Sequence, residues 1–297
     1  MSAPGITSTA RRGELDFVRV LVVVGLVFFH SALVFDPSGG FYVHNDETTI
    51  LSVIVSGLGV IWAMPILFLI AGFGARHSLR RRGPGGFAAE RLLRIGVPLV
   101  FGTLTIVPVP QWLRLRADPA YHESYLEFLP RFFDVRFDPL EFPFVLQGEH
   151  FETGHLWFMV LLLAFSLMLA PVVRWFPAGR ARALGERLAA AAGRGRAVTA
   201  VAAVPPALLC AFAGLEREYA GWHRWAYLLF FLYGFVLASD DRFRGAVRRD
   251  APLAAVVGLA LPVVGMPMFL LAGGDPFTDL TPMAITARAM YGASGWC

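Results

Sequence analysis

No lysine occurs in the 297 residues, so all 26 basic side chains are arginine. That bias reads as genome composition, yet it removes one motif. The Gly-Pro-Gly-Gly at 83–86 has neither the lysine nor the spacing of a P-loop and reads as a turn. Cysteine is almost as scarce. Cys210 lies inside an apolar run and Cys297 is the last residue, which excludes a disulfide framework and a zinc-type cluster. Charge is sparse, at 16% of residues against roughly 25% in soluble domains. The formal net charge of +4 is modest, and the arginines sit between apolar runs. That pattern orients a membrane protein and argues against a nucleic-acid partner. A cleavable signal is missing as well. The first apolar run follows Arg11 and Arg12 without an A-x-A-like site, so it is expected to stay as the first membrane helix.

What is present is apolar sequence, 56% of the chain, in long unbroken runs. Lipid cannot hydrogen-bond a backbone, so spans are helices or closed barrels. A helix needs about 20 apolar residues and a strand about 10 alternating ones. These runs are long and do not alternate, which predicts an all-α, polytopic transmembrane bundle forming one domain over residues 1–297. Spans are expected at 15–35, 52–75, 92–110, 155–175, 198–214, 222–239 and 251–272, with an eighth starting near Pro282 and cut short at Cys297. No internal repeat is evident.

Arginine sets the orientation. Arg11 and Arg12 precede the first run, Arg76, Arg80, Arg81 and Arg82 follow the second, six arginines between 174 and 196 follow the fourth, and Arg242, Arg244, Arg248 and Arg249 follow the sixth. These sides alternate consistently, so they mark the cytoplasm, with the N-terminus inside, in a cytoplasmic membrane. Opposite loops hold fewer, Arg288 among them. Residues 111–154 then form an outer loop whose phenylalanines (Phe128, Phe132, Phe133, Phe137, Phe142, Phe144) suggest a re-entrant or interfacial cap. Residues 176–197 read as a cytoplasmic linker; within it, 177–197 is rich in Ala, Gly and Arg and suits a short amphipathic helix on anionic lipid.

Three clusters carry chemistry. In the first run, Asp16, Arg19 and His30 share a face: eleven residues at 100° each bring His30 back to within about 20° of Arg19, roughly 16 Å further along. Intramembrane ionisable groups usually face a bundle interior or wet cavity. His30 is the one side chain of this run suited to general-base work near neutral pH. The plainer alternative is a neutral histidine bonded to a neighbouring helix, with Asp16 and Arg19 pairing at the interface. Ser31 diverges from His30 by about 100° and makes no triad.

The second cluster runs from Arg76 to Pro98. Arg80, Arg81 and Arg82 read as a positive-inside loop. Arg91 and Arg94, three apart at an expected helix start, suit an anion such as a phosphate-bearing ligand. The third is GEHFETGHLWF, 148–158. Glu149, His150, Glu152 and His155 with Trp157 suit a carbohydrate or other hydroxyl acceptor. The alternative for Trp157 and Phe158 is an interfacial aromatic belt. The histidine spacing is not H-E-x-x-H, and no metal is expected. His44 and His122 are placed in outer loops, His77 in the arginine loop, and His223 beside Trp222 and Trp225 at the interface.

Together LDFVRVLVVVGLVFFH (15–30), MPILFLIAGFGARHSLRRRG…ERLLRIGVP (64–98) and HLWFMVLLL (155–163) resemble the integral-membrane acyltransferase 3 family, which includes sugar O-acetyltransferases and glucan succinyltransferases. The similarity runs in order over about 12–175. It implies transfer of an acyl group from cytoplasmic acyl-coenzyme A to an acceptor on the outer face. It also implies His30 as catalytic histidine, Arg19, Arg91 and Arg94 holding the donor, Asp16 orienting Arg19, and His155 and Trp157 near the acceptor. The family typically has about ten membrane helices, so C-terminal helices are expected to be missing here. Two other classes stay open: a proton-coupled transporter or flippase using His30, and a non-catalytic truncated family member.

Overall fold

The computed structural model describes residues 13–35 and 45–297; Arg11, Arg12 and His44 lie outside them. Twelve α-helices are described: α1 Gly13–Leu33, α2 Ile50–Arg91, α3 Val97–Thr105, α4 Pro108–Arg116, α5 Tyr125–Phe132, α6 Trp157–Trp175, α7 Ala178–Arg194, α8 Ala197–Ala202, α9 Val204–Ala213, α10 Arg224–Leu237, α11 Asp241–Leu271 and α12 Pro282–Ser294. One small antiparallel hairpin, β1 Arg136–Phe137 and β2 Leu146–Gln147, lies between α5 and α6. Every apolar run of the sequence is therefore helical. Among the described residues, four stretches are long and apolar enough to cross a membrane: Asp16–Leu33, Gly59–Arg116, Gly154–Trp175 and Asp241–Leu271. The second is far longer than the roughly 20 residues of one crossing.

Several boundaries differ from expectation for local reasons. Residues 76–82 are not a loop but continue α2. The chain breaks only at Gly83, whose φ of 68° glycine alone adopts easily. Glu90 closes the break: it accepts from Ser78 Oγ at 2.5 Å and pairs with Arg82 and Arg94, each at 3.3 Å. No new helix starts at Arg91 either. A π-helical turn, Leu92–Gly96, joins α2 directly to α3, and the Leu92 N–H is already used on the Ala88 and Ala89 carbonyls. The free N-terminal amides expected beside Arg91 and Arg94 are absent. The 198–214 helix is split at Ala203, where Pro205 and Pro206 start α9. Arg288 is not in a loop: it is buried on α12, where Nη2 and Nε donate to Ala211 O at 2.8 and 3.3 Å and Nη1 to Pro276 O at 2.9 Å. Trp222, beside His223, is fully buried, and its Nε1 donates to Val60 O at 3.1 Å.

The core is the contact of α2 with α10, flanked by α6. Helices in lipid approach closely where residues are small. Gly72 lies directly under the Phe231 carbonyl and Gly234 directly against that of Leu69, so backbone meets backbone in both directions. Around this contact Phe68 stacks on Tyr227 at 4.6 Å and meets Phe158 edge-on at 4.7 Å. Outward, the bundle presents large apolar side chains such as Val27, Phe28, Phe101, Val256, Val263 and Leu270, all more than half exposed. Water would not tolerate that surface; hydrocarbon matches it.

Residues 117–154 are more ordered than a loop. Ser124 and Glu127 form a reciprocal capping box for α5. Phe128 and Phe132 are buried with Val107, and Phe144 is buried against Tyr219. Phe133, Phe137 and Phe142 stay exposed. The result is a folded cap.

Candidate functional site: a cavity under the cap

A cavity of about 870 Å³ lies between α1, α2, the cap, the start of α6, the 215–221 turn, α11 and α12. Its wall includes His30, Glu152, His155, Trp157, Tyr219 and Arg114. The sequence clusters around His30 and around 152–157 therefore meet in space.

His30 reaches the cavity from the last turn of α1. Its Nδ1 lies 2.7 Å from the Leu26 carbonyl oxygen, one turn back on the same helix. A carbonyl only accepts, so Nδ1 carries the proton and Nε2 carries the basic lone pair. The imidazole is held in one tautomer and orientation by its own helix. His155 arrives from a 3₁₀ turn, Gly154–Leu156, entered through Gly154 at φ 48°. The two imidazoles meet edge-to-face with centroids 4.9 Å apart. Glu152 lines the same cavity beside His155. Trp157, Tyr219 and Phe144 supply aromatic walls.

The cap is latched over this cavity by Arg224. Its backbone N–H and Nε donate to the two carboxylate oxygens of Glu216 at 2.5 and 2.7 Å. Its Nη1 reaches the backbone oxygen of Glu141 at 3.1 Å, and both Nη atoms reach that residue's carboxylate at 3.2 Å. The guanidinium also lies over the Tyr219 and Phe144 rings, which stack on each other at 4.6 Å. Burial pushes the Tyr219 phenol well up, so it stays neutral in this wall. Arg224→Met removes the guanidinium's bonds to Glu216 and Glu141 and leaves the Glu216 carboxylate, only 20% exposed, with the backbone N–H of residue 224. Breaking a buried pair costs about 3–5 kcal/mol, and partial exposure here lowers that to roughly 2–3 kcal/mol. Thermal unfolding of the variant should show that loss; an unchanged midpoint would rule out the latch.

The other expected residues lie elsewhere. Asp16 and Arg19 pair at 2.6 Å on exposed α1 surface. Arg94 is tied to Glu90, and Arg91 stacks over the Phe87 ring at 5.0 Å with its buried Nε unpartnered. Glu149 is 83% exposed, and His150 lies on Arg131 at 2.8 Å on the cap. None of Asp16, Arg19, Arg91, Arg94, Glu149 and His150 is part of the cavity wall. Sequence reading missed Arg114, Phe144, Gln147, Arg217, Tyr219 and Tyr291, all of which line it. One signal was available: Glu216, Tyr219 and Arg224 all lie within GLEREYAGWHRW, 214–225, a polar and aromatic stretch between two apolar runs. Among the described residues no three His, Cys, Asp or Glu side chains gather as a metal site requires.

A pre-oriented imidazole base in a large apolar-walled cavity can deprotonate a bound hydroxyl. A family model described as an acyltransferase domain matches residues 12–296. No curated protein and no solved structure matches the chain.

Proposed function

The chain belongs to the acyltransferase 3 family of membrane acyltransferases over essentially its whole length, and we propose that it moves an acyl group of the acetyl or succinyl class from cytoplasmic acyl-coenzyme A to a hydroxyl of a cell-envelope glycan, lipid-linked sugar or secreted metabolite. The observation that carries the mechanism is the Nδ1–Leu26 hydrogen bond at 2.7 Å, which makes Nε2 of His30 the basic nitrogen in the cavity. Nε2 takes the acceptor's hydroxyl proton as the oxygen attacks the thioester carbonyl. The tetrahedral intermediate collapses with cleavage of the C–S bond, and the departing thiolate takes the proton back from the imidazolium. The products are an ester and free coenzyme A, and His30 returns to its starting tautomer.

His155, Glu152 and Trp157 are proposed to hold the acceptor, with aromatic faces stacking on a sugar ring and the carboxylate accepting its hydroxyls. Glu149, outside the cavity wall, fits at most an outer rim of that site. Arg91 and Arg94 are proposed to bind the donor's phosphates, with Arg19, oriented by Asp16, as a further cationic contact. Their separation from the cavity suits a donor whose anionic end and thioester are joined by a flexible arm. The proposed topology is seven full spans before Pro282, with the N-terminus in the cytoplasm. It rests on the alternation of arginine-rich segments.

The test is purified protein incubated with radiolabelled acetyl- and succinyl-coenzyme A and envelope extract. Label in a glycan, lipid or small hydroxyl compound is the expected outcome. Label confined to unreacted donor, or a substrate accumulated across a membrane without covalent change, would overturn the reading.

A further inference from the structure

We propose that α7 is an anionic-lipid-binding helix that lies along the membrane surface. Its placement follows from its two ends. Only residues 176–177 separate α7 from the end of α6, an apolar stretch long enough to span. Only residues 195–196 separate it from α8, which leads into the apolar stretch Ala200–Ala213. A helix roughly 25 Å long that is tied to membrane helices within two residues at each end runs along the surface. The α6 end carries Trp175 and Phe176, both exposed, as membrane-interface anchors do.

One side of α7 is docked on protein. Ala189 and Ala192 are buried against Phe243 and Ala246 of α11. Glu186 pairs with Arg242 at 2.8 Å, and Arg249 donates to the Ala192 and Gly195 carbonyls at 3.2 and 2.8 Å. The rest of the helix has two further faces. Arg180, Arg187 and Arg194 recur every heptad, drifting about 20° each time, so they form one row opposite the docked alanines. Consecutive members are roughly 10 Å apart along the axis. All three are exposed, and none has an ion-pair partner among the described residues. About 80° round from this row lie Leu184 and Leu188, 53% and 36% exposed. Turning the leucines into the acyl boundary puts the arginine row level with the headgroup phosphates. That is the geometry of an interfacial amphipathic helix, and the complementary partner is a leaflet rich in anionic phospholipid.

The test uses the full chain in nanodiscs of phosphatidylcholine, or with half of that lipid replaced by phosphatidylglycerol, and follows backbone hydrogen exchange across 178–194. Exchange should slow at least tenfold in the anionic discs, since each arginine near such a surface is worth about fivefold in affinity. The slowing should vanish in 1 M salt, where screening acts within about 3 Å. It should also vanish in the triple variant Arg180→Gln, Arg187→Gln, Arg194→Gln, which keeps good helix formers at exposed sites. Equal exchange of the wild-type chain in both discs would overturn the proposal. So would equal slowing by inorganic phosphate in phosphatidylcholine discs, which would make the row a site for soluble anions.

Discussion

Gly234→Ala abolishes stable packing of α2 on α10, and with it acyl transfer. A methyl group at Gly234 would be driven into the Leu69 carbonyl oxygen, and one at Gly72 into that of Phe231. Neither obstacle is the flexible end of a side chain, so the relief is separation of the two helices. That contact carries Phe68, Tyr227, Phe230 and Phe231, all buried. Overpacking a core commonly costs 1–3 kcal/mol; a backbone obstacle at the centre of the bundle belongs at about 3 kcal/mol or above. The cavity suffers as well, because its walls come from α2 on one side and from the 215–221 turn leading into α10 on the other. Gly25→Ala provides the contrast. Nothing lies within 4 Å of a Cβ built there. It should be neutral or stabilising by up to about 1 kcal/mol through helix propensity. Thermal unfolding in one detergent separates the two: similar midpoints for Gly234→Ala and Gly25→Ala would remove the close contact from the account.

His30→Gln lowers kcat for acyl transfer by about 10²–10⁴-fold, the range that a positioned general base contributes. Glutamine fills similar space and retains hydrogen-bonding groups, but it cannot accept a proton near neutral pH. Donor affinity should change little, because Arg91 and Arg94 lie outside the cavity wall that holds His30. His155→Gln should behave differently. In the proposed mechanism His155 holds the acceptor and flanks His30 at 4.9 Å between centroids. Its loss therefore raises KM for the acceptor more than it lowers kcat. Steady-state kinetics on both variants read this split. Equal kcat losses would make the two histidines a single catalytic unit; a pure KM effect in His30→Gln would remove it as the base.

The helical character of the chain was plain in its sequence, since apolar runs at 15–35, 155–175 and 251–272 admit no other membrane structure. His30 stood out for the same reason: a titratable group in such a run is costly. The meeting of His30 with His155 and Trp157 was legible only as family resemblance, and that with Glu152 not at all, because no periodicity links residues so far apart in the chain. Where local rules were applied to 76–96 they misled. Residues 76–82 read as a loop and Arg-x-x-Arg as a helix start, although the turn expected at Gly-Pro-Gly-Gly does begin at Gly83. The observed chain instead bends at Gly83 alone and carries its helix through a π-turn, held by Glu90, whose role depends on three partners from both sides of the bend. The cap was read from its aromatics as re-entrant or interfacial, and the structure divides those aromatics between a buried set and an exposed one. The capping box of α5 and the Arg224 latch draw Phe128, Phe132 and Phe144 inward. Arg288 was misplaced because an arginine near the end of an apolar run reads as a loop residue until the carbonyls that satisfy it, those of Ala211 and Pro276, are located.

The central claim is that Nε2 of His30 drives transfer to a hydroxyl. The most direct measurement is single-turnover release of coenzyme A thiol from acetyl-coenzyme A by the reconstituted protein, with envelope extract as acceptor source, comparing wild type with His30→Gln. The account predicts thiol release matched by ester formation in the wild type, and a rate at least about 100-fold lower in the variant at unchanged donor binding. A variant that releases thiol and forms ester at close to the wild-type rate would contradict it.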